Sequence, residues 1–187
     1  MNTYYIGYIF KDESINSLKT IQSLLQNPSY NLHNINVNKK LYTNFIKLGK
    51  ITDKLATEFI NYLNTIFLAI HQENKVLNCE FTSFELLEKD GNCVFEINYK
   101  NNILENKIVP FIKKFGTDHI IETYYKDPVH LNIELMTFNT DNFSQTKSDI
   151  LNKIYLPRNR EFPMKSIDIY KISENDELTL ITSYPFN

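Results

Sequence analysis

Two short segments of the sequence place a ring side chain and an asparagine two residues apart: Tyr42-Thr43-Asn44 and His130-Leu131-Asn132. In an extended chain, such pairs point to the same face. An imidazole titrates near neutral pH and can act as an acid or a base, whereas a phenol has a reference pKa of about 10. Brought together, the two segments would line one groove with two rings and two amides.

The residues around both segments carry a family resemblance. Leu41–Ile51 resembles the Leu-His-Ile-Thr-Leu-Lys-Phe-Leu-Gly-Glu-Ile segment of the two-histidine (2H) phosphoesterase superfamily. Pro128–Ile133 is similar to the Pro-His-Ile-Thr-Leu segment of the same superfamily, with the proline one place early. The resemblance implies an α+β fold, a bilobal sheet sandwich with helices on the outer faces and a central cleft. It also implies one such domain over residues 1–187.

In that family, one histidine removes a proton from the nucleophile and the other protonates the leaving oxygen. The resemblance therefore implies that His130 is a catalytic acid or base and that Tyr42 replaces the first histidine as a hydrogen-bond donor. Asn44 and Asn132 stand where the family has hydroxyls, and their amides can donate hydrogen bonds to phosphate. Losing one proton-transfer group commonly costs about 10²–10⁴ in rate.

A phosphodiester site also needs positive charge, and Lys126 is the residue that we expect to contribute it, with Lys40 and Lys47 also near the motifs in sequence. His33 precedes the first motif out of frame and is a candidate replacement for the missing histidine. A histidine or tyrosine on a strand is more often structural than functional, so packing is the competing interpretation of His130 and Tyr42.

The composition limits the classes of partner. The 187 residues are 42% hydrophobic and 22% charged, with a net charge of −2 and a pI near 6.1. This is not the basic surface of a protein that binds long duplex nucleic acid, whereas a small nucleotide or an RNA end remains a suitable partner. The sequence has no apolar run long enough to cross a membrane and no signal peptide, which favours a cytoplasmic protein.

Two cysteines, Cys79 and Cys93, lack metal-ligand spacing, and the four histidines form no close pair. We therefore expect no metal and no cofactor. A reduced, cytosolic setting fits this cysteine usage, although a disulfide between the two remains open. The oligomeric state is also open.

Hydrophobic periodicity predicts strands that alternate with helices and hairpins. The predicted strands are Tyr4–Phe10, Leu32–Val37, Leu41–Leu48, Cys79–Leu87, Cys93–Tyr99, Val129–Phe138, Ser166–Ser173 and Leu178–Ser183. Helices are predicted from Asp12 or Ser14 to Leu25, from Thr52 or Asp53 to His71, over Asn102–Phe115 and over Asp141–Leu151. We expect Gly49 to end a strand, Pro110 to kink or split a helix, and Gly116 to end that helix.

Three functions follow from these observations. The first is a metal-independent phosphodiesterase for a 2′,3′-cyclic, cyclic-nucleotide or 2′,5′-linked substrate. A second is an inactive protein that sequesters or senses a nucleotide, because the first histidine is replaced by Tyr42. The third is a protein-interaction module that retains only the fold.

Overall fold

The computed structural model of the chain describes residues 2–73, 77–119, 123–124, 131–154, 160–173 and 177–186. For residues 42–46, 73 and 123–124 it describes the backbone alone. The strands are β1 (Asn2–Phe10), β2 (His33–Val37), β3 (Tyr42–Ile51), β4 (Asn78–Lys89), β5 (Asn92–Lys100), β6 (Thr123–Tyr124), β7 (Leu131–Asn139), β8 (Glu161–Ile172) and β9 (Leu178–Pro185). The helices are α1 (Asp12–Leu25), α2 (Asp53–Glu73), α3 (Val109–Asp118) and α4 (Phe143–Lys153).

The strands form one continuous sheet in the order β2-β7-β5-β4-β8-β1-β3-β6, and β9 also pairs with β8. Every paired neighbour is antiparallel. β8 joins the two halves of the sheet. Its residues Glu161–Pro163 pair with β4, and its residues Met164–Ile172 pair with β1.

An aromatic cluster fills the core beside this junction. The ring of Phe10 lies 5.1 Å from that of Tyr99 and 5.9 Å from that of Phe162, between ring centroids. Phe10 is on β1, Tyr99 on β5 and Phe162 on β8, so the cluster ties both halves of the sheet to one core. Large aromatic side chains bury the most apolar area per residue and dominate such contacts.

Helices α2 and α3 pack against each other beside the β1–β8–β9 half. Phe59 and Phe115 approach to 4.9 Å between ring centroids, and Tyr62 stacks on Phe111 at 3.7 Å. Phe67 of α2 stacks on Tyr184 of β9 at 4.1 Å. These contacts arise because the apolar residues of α2 recur at helical spacing and form one face.

Helix α1 is joined to the other half of the sheet by a buried glutamine. Gln22 donates hydrogen bonds from Nε2 to the carbonyl oxygens of Leu135 on β7, at 2.8 Å, and of Asn38, at 2.9 Å. Leu135 lies where the register between β5 and β7 shifts by one residue. The side chain of Gln22 gives the carbonyl oxygen of Leu135 a hydrogen-bond donor there. This contact places α1 beside the strand that begins at the second motif.

The N-terminus of α2 is held by a polar cluster around Asp53. The carboxylate of Asp53 accepts hydrogen bonds from Tyr4 Oη at 2.9 Å and from Lys171 Nζ at 3.1 Å. The Tyr4 hydrogen bond, followed by that of Lys171, lowers the pKa of Asp53. Burial, with the hydrogen bond to Asp53 second, raises the pKa of Tyr4 to about 12. The Thr52 hydroxyl caps the helix by accepting from the backbone N–H of Leu55 at 3.3 Å, as expected of an N-cap threonine.

The predicted α+β class is confirmed, and most elements lie where the pattern places them. Two expectations about strand and helix ends are wrong. β3 continues past Gly49 to Ile51 because it stays paired with β1 there. The helix continues past Gly116 to Asp118. The expectation for Pro110 is confirmed: the predicted helix is divided just before it, into a π-helical stretch at Leu104–Ile108 and α3, whose first turn contains the proline.

Two short elements were not predicted from the sequence: a 3₁₀ helix at Pro28–Tyr30 and the two-residue strand β6. Cys79 and Cys93 are both free and buried, so the question of a disulfide between them is answered. Among the described residues, no helix combines the length and the apolar character needed to cross a membrane.

We predict that Phe10→Ala lowers the free energy of unfolding by about 3–5 kcal/mol, because it removes a fully buried ring and leaves a cavity. Urea denaturation measures the effect. The control is Leu180→Ala, at a position 52% exposed, which we expect to change stability by less than about 0.5 kcal/mol. A loss under about 1 kcal/mol at Phe10 would show that the aromatic cluster does not hold the sheet together.

We also predict that Cys79 makes the free energy of unfolding fall at alkaline pH. Burial raises the pKa of its thiol to about 12, whereas an exposed thiol has a pKa of about 8.5. The thiol therefore stays protonated to a higher pH in the folded state than in the unfolded state. Its contribution to the free energy of unfolding is fully present below about pH 8.5 and is lost as the pH rises towards 12. The free energy of unfolding of Cys79→Ala, measured from pH 8 to 11, should fall less steeply than that of the unchanged protein. Parallel curves would contradict this.

Candidate functional site

The two motif strands lie close together. β3, which begins at Tyr42, contacts β7, which begins at Leu131, although neither pairs with the other. Each motif strand therefore belongs to a different half of the sheet, and the halves meet at these strands. The side chains of Tyr42 and Asn44 and the whole of His130 and Lys126 lie outside the described residues.

Asn132 is the predicted site residue whose side chain is described. It lies on β7, half-buried, opposite Asn98 of β5. Its Nδ2 donates a hydrogen bond to Glu96 Oε2 at 2.8 Å. The carboxylate thereby fixes which end of the amide is the donor, because a carboxylate only accepts.

Glu96 is a buried carboxylate on the same face of the sheet as Asn132. The flanking residues Phe95 and Ile97 point into the core, so Glu96 points to the opposite face. Lys89 Nζ lies 3.3 Å from Glu96 Oε2 and neutralises its charge. A buried carboxylate is costly unless it is paired and hydrogen-bonded, and here it is both. The Lys89–Glu96–Asn132 chain thus orients the predicted ligand-binding amide.

The amide of Asn98 extends this polar face. Its Nδ2 donates a hydrogen bond to Ser83 Oγ on β4 at 3.2 Å. Asn98 alternates with buried Ile97 and Tyr99 along β5, which places it on the same face as Glu96. A polar surface therefore runs across β4, β5 and β7 beside the second motif.

A second buried carboxylate lies beside the first motif. Asn44 of β3 pairs with Gly7 of β1, and Gly7 pairs with Asp168 of β8, so all three share one row across the sheet. Asp168 is buried and accepts hydrogen bonds from Ser183 Oγ at 2.6 Å and Tyr170 Oη at 3.0 Å. Among the described residues, no lysine or arginine forms an ion pair with it. The two hydroxyl donors offset the cost of its burial.

The structure places His33 far from Asn132 of the second motif. His33 pairs with Asn139, near the opposite end of β7 from Asn132. At the rise of a strand, that separation is about 24 Å. Its exposed imidazole instead lies 3.6 Å from a carboxylate oxygen of Asp141. The sequence placed it near the first motif, but β2 carries it away from the site.

The other described histidines have structural contacts. His119 follows α3, stacks on Phe115 at 4.2 Å and bonds to the Phe115 carbonyl through Nδ1 at 3.0 Å. His71 stacks on Phe186 at 5.1 Å. Within the described ranges, no three His, Cys, Asp or Glu side chains are grouped so that they could hold a metal ion.

Sequence reasoning missed Glu96 and Asp168 as site residues. The available signal was strand alternation: Glu96 and Asp168 each occupy a polar position between apolar neighbours. That pattern assigns each residue to a face of the sheet but does not predict its burial, because burial depends on which side chains cover that face. Glu134, in contrast, is exposed, as expected of a solvated strand residue.

The antiparallel sheet in two halves, the helices packed on it and the contact between β3 and β7 make up an α+β fold. Solved structures of Usb1 from Kluyveromyces marxianus share this fold. One matches with a TM-score of 0.59 and 9% sequence identity, over 99% of this chain and 98% of that chain. Usb1 with uridine monophosphate matches with a TM-score of 0.55 and 8% identity, over the same shares of the two chains. No protein-family model and no curated protein sequence matches the chain.

We predict that Glu96→Ala destabilises the fold by about 1–3 kcal/mol, because it leaves the half-buried amide of Asn132 and the ammonium of Lys89 without their shared acceptor. The matched control is Glu134→Ala, since Glu134 lies directly opposite Glu96 but is exposed. We expect that control to stay within about 0.5 kcal/mol of the unchanged protein in urea denaturation. Equal effects of the two variants would show that Glu96 does not organise this face.

Proposed function

We propose that the chain is a divergent 2H phosphoesterase-like protein that acts on or binds a nucleotide or RNA-end phosphodiester between β3 and β7, without a metal. The observation that carries the proposal is the contact between these two strands, each of which continues from a ring-x-Asn segment. The fold shared with Usb1, which one solved structure contains together with uridine monophosphate, supports it. A shared fold does not by itself establish a shared function, so the proposed function rests on the site residues.

In this proposal, His130 supplies the acid or base at the phosphodiester. Its imidazole is suited to proton transfer near neutral pH. Tyr42 donates a hydrogen bond from its phenol but is a poor base, because its reference pKa is about 10. Asn44 and Asn132 bind the non-bridging oxygens through amide N–H groups, and Lys126 contributes positive charge. Hydrolysis would concern a 2′,3′-cyclic, cyclic-nucleotide or 2′,5′-linked phosphodiester.

The two buried carboxylates determine how much positive charge the site needs to bind an anion. Glu96 is already paired with Lys89 and bonded to Asn132, so its charge is balanced locally. Asp168 is bonded only to hydroxyl groups among the described residues and adds negative charge to the row that includes Asn44. An anionic ligand therefore depends on positive charge from the lysines near the motifs. This need makes Lys126 central to the proposal.

The alternative is a protein that binds a nucleotide without turnover, and the tyrosine at position 42 is the residue that favours it. A site with one imidazole retains hydrogen-bond donors for phosphate but loses one partner in proton transfer. A protein-interaction module that keeps only the fold is a further alternative, and it predicts neither turnover nor nucleotide binding.

The test is incubation with 2′,3′-cyclic and 3′,5′-cyclic nucleotides, 2′,5′-linked oligonucleotides and RNA ends that carry a 2′,3′-cyclic phosphate, followed by chromatography. If the protein is an enzyme, His130→Ala should reduce turnover by about 10²–10⁴ and leave affinity nearly unchanged. If it is a binder, His130→Ala and Asn132→Ala should both weaken affinity, and the ligand should be recovered intact.

The matched control is His33→Ala, because His33 is an exposed histidine about 24 Å along the sheet from Asn132. It should retain all turnover and affinity. No product and no retained ligand would contradict the proposal and support the interaction module. Loss of activity in His33→Ala equal to that in His130→Ala would contradict the assigned site.

A further inference from the structure

Strand β9 lies at an edge of the sheet. It pairs with β8 along one side, and in the part of the chain that the structure describes no strand pairs with its other side. Alternate backbone N–H and C=O groups of an edge strand point away from the sheet. β9 therefore presents a row of such groups that is about 27 Å long and that a further strand can bind.

The side chains that β9 exposes include three large apolar ones. Leu178, Leu180 and Ile181 are 39%, 52% and 41% exposed. Edge strands of soluble proteins are commonly protected from pairing by charged residues, prolines or bulges. No charged residue occurs at positions 178–187, and Pro185 is the last residue of the strand. A bulge in the pairing with β8 lies at Ile181 and leaves a further apolar side chain in solvent.

An apolar pocket of about 290 Å³ adjoins the end of β9. Phe67, Leu68 and Tyr184 line it, together with Asn64 and His71. Phe67 stacks on Tyr184, and the Tyr184 hydroxyl donates to Asn64 Oδ1 at 2.7 Å, so these contacts hold one wall in place. Leu68 is 64% exposed. Apolar surface therefore continues from the edge strand onto helix α2.

The register of β9 on β8 allows β9 to pair with a second copy of itself. A two-fold axis sets two strands antiparallel, with the start of each beside the end of the other. If Leu178 of one copy lies opposite Pro185 of the other, Thr179 lies opposite Tyr184. The β8 partners of Thr179 and Tyr184 are an even number of residues apart, so these two side chains share one face of the sheet, as directly opposite residues must.

The two ends of β9 are complementary in charge in this arrangement. Glu177, directly before β9, is exposed. At the other end, the N–H of Phe186 donates to the carbonyl oxygen of Lys165 at 2.8 Å, and Lys165 is also exposed. Glu177 of each copy and Lys165 of the other are then separated by two strand spacings, about 10 Å between backbones. Two long side chains of opposite charge span that distance.

We propose that the chain forms a two-fold dimer in which the β9 edges of two copies pair antiparallel and continue the sheet across the interface. The contact uses the same surface on both copies, so it closes with two chains. It covers Leu178, Leu180 and Ile181 and removes the free edge. A single pair of edge strands buries less area than a standard interface, so we expect a weak dimer that dissociates at low micromolar concentrations. The inference does not depend on nucleotide binding, because it involves neither β3 nor β7.

Sedimentation of the purified protein over about a hundredfold range of concentration tests the dimer. We expect the average mass to rise from that of one chain to that of two and no further. Ile181→Lys should raise the dissociation constant at least about tenfold, because it places two like charges beside the two-fold axis. The control is Leu24→Lys, at a 55% exposed leucine of α1, which should leave the dissociation constant unchanged. Circular dichroism verifies that both variants are folded.

Charge reversal tests the register. Lys165→Glu and Glu177→Lys, made singly, should each raise the dissociation constant about threefold to tenfold, since each replaces two exposed ion pairs by two like-charge pairs. The double variant should restore the dissociation constant of the unchanged protein, because both pairs are formed again with their charges exchanged.

The outcomes that overturn the proposal are distinct. A mass of one chain at every concentration would exclude the dimer and leave a strand of a different protein as the occupant of the edge. Assemblies larger than two chains would exclude a closed two-fold contact. A dissociation constant that Ile181→Lys does not change, or a double charge variant as weak as the single ones, would show that β9 does not pair with itself in this way.

Discussion

The fold depends on the division of β8 between two partners. One strand pairs first with β4 and then with β1, and this places the two halves of the sheet in a single hydrogen-bonded network. The rings of Phe10, Tyr99 and Phe162 fill the core where the partner changes. Without that junction, β3 and β7 would belong to separate sheets, and nothing would hold the two motif strands against each other.

Two acidic residues of the sheet are buried beside polar partners in their own half of it. Strand alternation assigns Glu96 and Asp168 to the faces opposite the core, where an isolated sheet would leave them in water. Both are buried in the folded chain, Glu96 beside Lys89 and Asn132 and Asp168 beside Tyr170 and Ser183. Each carboxylate is hydrogen-bonded, and Glu96 is also paired with a lysine. An anion bound between β3 and β7, as we propose, would therefore lie near buried carboxylates and would need positive charge to offset them.

The sequence was sufficient to predict the α+β class and most strands and helices, because the apolar periodicities of α2, β5 and β8 are strong. The ends of elements were predicted less well. Pairing with β1 carries β3 past Gly49, and α3 continues past Gly116 to Asp118. His33 illustrates the limit for the site. Nearness in sequence to Tyr42 suggested a catalytic role, but only the register of β2 on β7 shows that it lies elsewhere. The burial of Asp168 could not be predicted either, since alternation along a strand assigns a residue to a face of the sheet but does not show whether that face is covered.

The central claim is that a nucleotide phosphate binds between β3 and β7. The most direct measurement is nuclear magnetic resonance of the isotope-labelled protein titrated with uridine monophosphate. We expect the largest changes at the side-chain amide of Asn132, at the neighbouring residues Glu96 and Asn98, and at the imidazole of His130, while His33 stays unchanged. Changes confined to β2 or α4, or no changes at a millimolar ligand concentration, would contradict the account.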